Sequence, residues 1–306
     1  MNDTSFEKLR VLIEHIEDAY APNTIRAYRK DMEEFINYCD TVGACALPAQ
    51  PELIAEFLMT TSKLGIKTST IRRKNSSISA VHRLSNLPDP TKHSEVKLAL
   101  RKIHRALGRR FDQAYPITRP VLEKLLAACA NDIRGKRNRA LLLFAYDSMR
   151  RRSEIVSLRI EDIAWGSEGC VSILLRKSKT DQLGSGQWIH LGIGASYAVK
   201  DWLDSARLDA GFLFRAVLPS GEITEGLGDG QVGRILKSIG RKAKLNEDVV
   251  AGISGHSMRV GSAQDMLVQG ASLPQIMVKG GWAKTDTVMR YVERVRVPVF
   301  SMATGA

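Results

Sequence analysis

No stretch of this chain is apolar enough to cross a bilayer: the longest unbroken hydrophobic run, Ala140 to Tyr146, is seven residues, against the ~20 that a spanning helix requires. Cysteine is scarce, and Cys39, Cys45, Cys129 and Cys170 show no CxxC spacing, which argues against a zinc cage and a disulfide framework. With 24 glycines, 10 prolines and 25% charged residues, neither a fibrous repeat nor disorder fits. The opening Met1-Asn2-Asp3-Thr4 has no basic patch followed by an apolar stretch, so no secretory signal is expected, and a reducing, cytoplasmic setting is.

Acid is the other shortage, and it is local. Residues 63–110 carry 13 basic but only 2 acidic side chains, whereas residues 1–62 are net −6 and residues 111–306 net +7. The net charge of +12, concentrated in this way, points to a polyanionic partner. An ordinary solvated basic face is the plainer alternative. At 306 residues and 44% hydrophobic, the chain is long enough for two domains with their own cores.

The first third reads as helices. Ile25, Tyr28, Met32, Phe35, Ile36 and Cys39 recur at helical spacing after Pro22, predicting a helix over about 24–40. Residues 68–84 and 94–107 have the same period, with Lys97, Arg101, Lys102 and Arg105 dominating the outer surface of the second. Ile71, Ile78, Val81 and Leu84 form the apolar stripe of 68–84, and Arg72, Arg73, Lys74 and Arg83 are read as lying off it. A basic bundle of this kind can lay helices along phosphates and in a major groove. Pro116 within 113–118 and its neighbour Pro120 break the pattern, so 113–118 reads as a linker between domains 1–112 and 119–306. Beyond it come an apolar helix at 138–148, short strands at 169–175 and 187–191, and mostly helix again from Tyr197, interrupted by a Gly-rich loop at 219–230.

Three distant segments hold groups suited to one task. Arg150-Arg151-Arg152 precede Glu154; three arginines fanned around a helix cannot all face one pocket, and Arg151 and Glu154, three apart, share a face. A carboxylate can fix the orientation of a guanidinium that must clamp a phosphate. Lys177 and Lys179 lie after the first strand, where a lysine can reach into a site, or can simply be a solvated turn. His256 and Arg259 follow Gly255; at a helix start both would sit where free backbone N–H groups favour an anion. A lone histidine is often a satisfied core group, but here Gly280-Gly281-Trp282 and Tyr291 follow.

Arg-x-x-Glu, a hairpin lysine, His-x-x-Arg, Gly-Gly-Trp and a downstream tyrosine, in this order, resemble the signature of the tyrosine site-specific recombinases (lambda-integrase family). Residues 254–266, 272–277 and 280–292, and the basic stretch 65–90, carry the resemblance over nearly the whole chain. It implies a mainly α fold with a small antiparallel β-sheet: an N-terminal helical core-binding bundle plus a C-terminal α+β catalytic domain, clamped around DNA. It implies phosphoryl transfer with no cofactor and no metal, and the sequence contains no P-loop or obvious acidic metal cluster.

On that resemblance Tyr291 is the nucleophile that forms a 3′-phosphotyrosyl link, Arg151 and Arg259 grip the phosphate, and Lys179 protonates the leaving 5′-oxygen. His256 supports proton removal from Tyr291, Trp282 stands where many members have a second histidine, and Glu154 positions Arg151 and His256. Arg150 and Arg152 rival Arg151, and Lys177 rivals Lys179. Met149 stands where many members have glycine. Arg26, Arg72, Arg73 and Lys74 are the expected DNA contacts. The implied partners are a double-stranded target with inverted half-sites and three further copies of the chain, a homotetramer in the synaptic complex, in a nucleoid-associated location and with no membrane. The segment 294–300 reads as extended, where the family often has a docking helix. A topoisomerase-like or hairpin-forming relative, and an architectural DNA-binding protein with a decayed site, are the competing readings.

Overall fold

A computed structural model of the chain describes residues 3–108, 113–166, 169–177, 185–293 and 295. The chain divides into two compact units, Met1–Asp112 and Gln113–Ala306.

Among its described residues the first unit is built of helices: α1 (Asp3–Ile16), α2 (Pro22–Thr41), α3 (Pro51–Lys63), α4 (Thr68–Leu84) and α5 (Ser94–Leu107). Prolines in the first turns of α2 and α3 are tolerated because their missing N–H groups would have had no helical partner. The core gathers one stripe from each helix, among them Ile13, Phe35, Ile36, Leu58, Ile71, Ile78 and Ile103, each 0–1% exposed. Helix α1 lies in a stretch where the period named no element.

Lys74 departs from its expected place on the basic face. It lies three residues after Ile71 and four before Ile78, on the apolar stripe itself, and is only 3% exposed. Its ammonium pairs with Glu34 of α2 and sits 5.5 Å from the centre of the Phe57 ring.

The second unit contains α6 (Arg119–Ala127), α7 (Ile133–Ser148), α8 (Arg152–Ser157), β1 (Ile163–Trp165), β2 (Val171–Leu175), β3 (Gln187–His190), α9 (Ile193–Ala206), α10 (Asp229–Lys242), α11 (Glu247–Gly252), α12 (Ser257–Val268), α13 (Leu273–Gly280) and α14 (Thr285–Val292). The strands pair antiparallel in sequence order, with Ile173 of β2 opposite both Ile163 and Ile189. Mainly helical with one small antiparallel sheet, the architecture has the expected class.

Helix α7 is the centre of this unit. Ala140, Leu141, Leu142, Phe144 and Ala145 are all buried, a helix apolar on most sides because it is covered on most sides. The Asp132 side chain caps its start by accepting the Gly135 N–H at 2.7 Å. Residues 113–118 are ordered against α11 and α12: Tyr115 N–H donates to Gly252 O and Ile117 N–H to Ser257 O, at 2.9 and 3.0 Å. Gly261 makes that approach possible, because a Cβ there would stand 1.9 Å from Ile117 O.

Candidate active site

The site is built where α7 stops. Met149 adopts φ 52°, ψ 28°, a left-handed conformation that costs an unbranched L-residue ~1–2 kcal/mol. This turn ends α7 at Ser148 and lets α8 begin at Arg152 with Arg151 as its N-cap. The three arginines therefore do not fan around one helix as expected. Met149 is fully buried with Ile276, Trp282 and Val288, so apolar packing offsets the backbone strain.

The turn sends each arginine to a different task. Arg151 is one-fifth exposed, and its Nη1 donates to Glu154 Oε1 at 2.6 Å. The other Glu154 oxygen accepts the Arg151 backbone N–H at 2.9 Å, so one buried carboxylate fixes both ends of the residue. Arg152 points outward and pairs with Asp229 at 3.4 Å. Arg150 is buried and bonds to Gln187 of β3 and to the Lys279 carbonyl.

Arg259 enters from the first turn of α12 and is 1% exposed. Its two terminal nitrogens donate to carbonyl oxygens, Nη1 to Met149 and Nη2 to Gly280 at 3.1 Å. Its guanidinium lies 4.4 Å from the centre of the Trp282 ring, which is itself 5.6 Å from the Tyr291 ring. Burial first, and then the neighbouring positive charge of Arg151, push the Arg259 guanidinium below its usual range. His256 is the exposed N-cap of α12, one turn before Arg259.

Both glycines before Trp282 are required by contact. A Cβ on Gly280 would meet the Trp282 ring at 2.1 Å; one on Gly281 would meet Arg150 Nη1 at 2.7 Å. Gly281 also holds φ +64°, a conformation glycine adopts at little cost. Tyr291, on α14, is half-buried; its backbone carbonyl accepts from Gln113 at 3.1 Å and Gln264 at 2.8 Å.

Arg151, Glu154, Arg259, Trp282 and Tyr291 thus come together from four segments, with His256 beside them in sequence. Lys179 lies outside the described residues, as do Arg294 and the segment 296–306, whereas Lys177 is exposed just after β2. Sequence reading missed the interior roles of Arg150, Gln187 and Gln264; none carries a pattern that distinguishes it from a surface residue. Of the expected DNA contacts, Arg26 and Arg72 are exposed, and Arg26 also donates to Asn23 at 2.8 Å. Arg73 is partly exposed and bonded to the fully buried Asp31 at 2.7 Å, and Lys74 is internal.

Among arginines 150, 151 and 259, Glu154 is the one carboxylate bonded to any of them among the described residues. Buried guanidinium groups held by neutral carbonyls keep their charge and favour an anion nearby.

Comparison with known proteins agrees with this geometry. The phage integrase family matches residues 116–296, and the phage integrase N-terminal SAM-like domain matches residues 13–85. The chain is 27% identical to recombinase cre of Escherichia phage P1, over 95% of this chain and 90% of that protein. It is 31% identical to the integrase/recombinase xerD homolog of Selenomonas ruminantium, over 91% of this chain and 84% of that one. In fold it resembles the XerH site-specific recombinase bound to palindromic difH substrate, with a TM-score of 0.66 at 19% identity over 89% of this chain and 76% of that one. The chain belongs to the phage integrase family and is a tyrosine recombinase.

Proposed function

We propose that this recombinase cuts and rejoins DNA at a specific paired site through a 3′-phosphotyrosyl intermediate on Tyr291, working as a tetramer on two duplexes held at inverted half-sites. The observation that carries the reading is the cluster in which Arg151 is bonded to Glu154 and the buried Arg259 lies over Trp282, whose ring neighbours that of Tyr291.

In this reading Arg151 and Arg259 hold the non-bridging oxygens of the scissile phosphate and neutralise the charge that grows as phosphorus becomes five-coordinate. The Tyr291 phenolic oxygen attacks phosphorus, and His256 accepts its proton. The bond to the 5′-oxygen breaks, and Lys179 protonates that oxygen as it leaves. A 5′-hydroxyl from the second duplex then attacks the phosphotyrosine and releases Tyr291, so the bond energy is kept in the covalent link and no external energy source is needed. Trp282 packs against Arg259 and lends the phosphate its indole N–H, and Glu154 positions Arg151. The first unit, residues 1–112, contacts the duplex through Arg26, Arg72 and Arg73, joined through 113–118 to the catalytic unit of residues 119–306.

The test is incubation with a nicked duplex carrying the target site, read on a denaturing gel. A covalent protein–DNA adduct that disappears in Tyr291→Phe is expected. An adduct that survives the substitution overturns the reading. A protein that binds the duplex but never forms the adduct favours an architectural role instead.

A further inference from the structure

We propose that Arg150 is a positioning residue for strand cleavage, a strut that ties strand β3 to the turn carrying Trp282 towards Tyr291; the inference rests on Tyr291 being the nucleophile.

Arg150 neighbours the phosphate-binding candidate in sequence but turns inward, only 5% exposed. Its guanidinium reaches three elements. Nε donates to Ser148 O at 3.2 Å at the end of α7, Nη1 to Gln187 Oε1 at 2.9 Å at the start of β3, and Nη2 to Lys279 O at 2.6 Å near the end of α13. Every partner is neutral, and burial pushes the guanidinium below its usual range. A buried cation without a bonded carboxylate loses more solvation than neutral partners return, and an apolar side chain of similar volume would fill the space at less cost. What the guanidinium supplies, and an apolar group cannot, is a fixed fork of donors spanning separate elements.

The turn is shaped around it. Gly281 leaves room for this guanidinium and for Gln187 Oε1, which would lie 3.5 Å from a Cβ at that position. Consecutive carbonyls are gripped by different arginines, that of Lys279 by Arg150 and that of Gly280 by Arg259. The residues leading into Trp282 are therefore clamped between the α12 arginine and the sheet. Lys279 adds a second tie, its Nζ meeting Asp147 Oδ1 at 3.0 Å. Alignment of Trp282 with Arg259, and of the Tyr291 ring with Trp282, then depends on β3 being in register with α13.

The test compares Gln187→Met, Arg150→Met and the double variant with wild type and Tyr291→Phe, measuring DNA affinity and, separately, single-turnover cleavage at saturating protein. Gln187→Met should slow cleavage about tenfold, the equivalent of one lost charge-assisted hydrogen bond of ~1.5 kcal/mol. Arg150→Met should slow it further, the double variant should be no slower than Arg150→Met, and affinity should stay within about twofold of wild type. Gln187→Met at the wild-type rate, losses that multiply in the double variant, or weaker DNA binding with an unchanged saturated rate would each overturn the strut. If Arg150→Met does not fold, Arg150→Lys, which cannot span Gln187 and Lys279 together, takes its place in the cycle. An adduct absent from wild type, or present in Tyr291→Phe, defeats the nucleophile assignment instead, whatever the strut variants do.

Discussion

Basic side chains are treated in opposite ways in the two units. In the helical first unit, the buried Lys74 pairs with the carboxylate of Glu34, and the buried Asp31 is met by the exposed Arg73. In the second unit, Arg150 and Arg259 are buried about as deeply as Lys74, yet their bonds go to carbonyl oxygens and a side-chain amide. The first arrangement neutralises charge and serves folding. The second preserves charge and gives up solvation to do so, which is useful where the fork of donors ties elements together, as at Arg150, or where a further anion arrives, as at Arg259.

The strongest way to break this contrast is Arg259→Met. The account predicts a fall in single-turnover cleavage of at least ~10²–10³-fold with a small change in unfolding free energy, because an uncompensated buried charge leaves with its hydrogen bonds. A large loss of stability with residual activity near wild type would place Arg259 in the same structural class as Lys74.

The converse experiment is Glu34→Gln, which strips the nearby carboxylate from the buried Lys74. Glu34 is 45% exposed, so the cost falls below that of a fully buried pair, at ~1–2 kcal/mol in urea denaturation. No loss would mean that the pair does not hold α2 to α4.

Arg72→Ala, at an exposed position, should change stability by no more than about 0.5 kcal/mol, as surface substitutions do. It should weaken DNA binding several-fold and flatten the salt dependence by about one phosphate contact's worth. An unchanged salt slope would remove Arg72 from the interface.

The smallest effect concerns His82, whose Nε2 accepts the Ala49 N–H at 3.0 Å. Burial lowers its pKa from the usual 6.5. Below that value the unfolded chain takes up a proton that the folded unit refuses, so this contribution to stability is complete above pH 6.5 and falls as pH drops towards the lowered folded value. Thermal melts of His82→Gln should show a shallower acid slope than wild type. Parallel slopes would contradict the assignment.

The long amphipathic helices were legible because the period repeats through several turns: residues 68–84 and 94–107 coincide with α4 and α5. Short elements such as β1 and α8 offer too few residues for a period to register. Lys74 was legible in principle, since its spacing from Ile71 and Ile78 places it on the apolar stripe, although its charge alone points to the surface. The turn at Met149 was hidden because methionine gives no sign of a left-handed backbone, and with it went the separate fates of Arg150, Arg151 and Arg152. Arg151, Arg259, Trp282 and Tyr291 were readable as a set only through the order of their motifs; the carbonyl partners that hold Arg259 leave no mark in sequence.

The most direct measurement is identification of the residue joined to DNA. Wild-type adduct formed on a nicked target is digested with protease and nuclease, and the nucleotide-bearing peptide is sequenced by mass spectrometry. The account predicts one modified peptide, with the 3′-phosphate of the cut strand on Tyr291. A nucleotide on Tyr146, Tyr197 or any other side chain would show that the arginine cluster and the nucleophile belong to different sites.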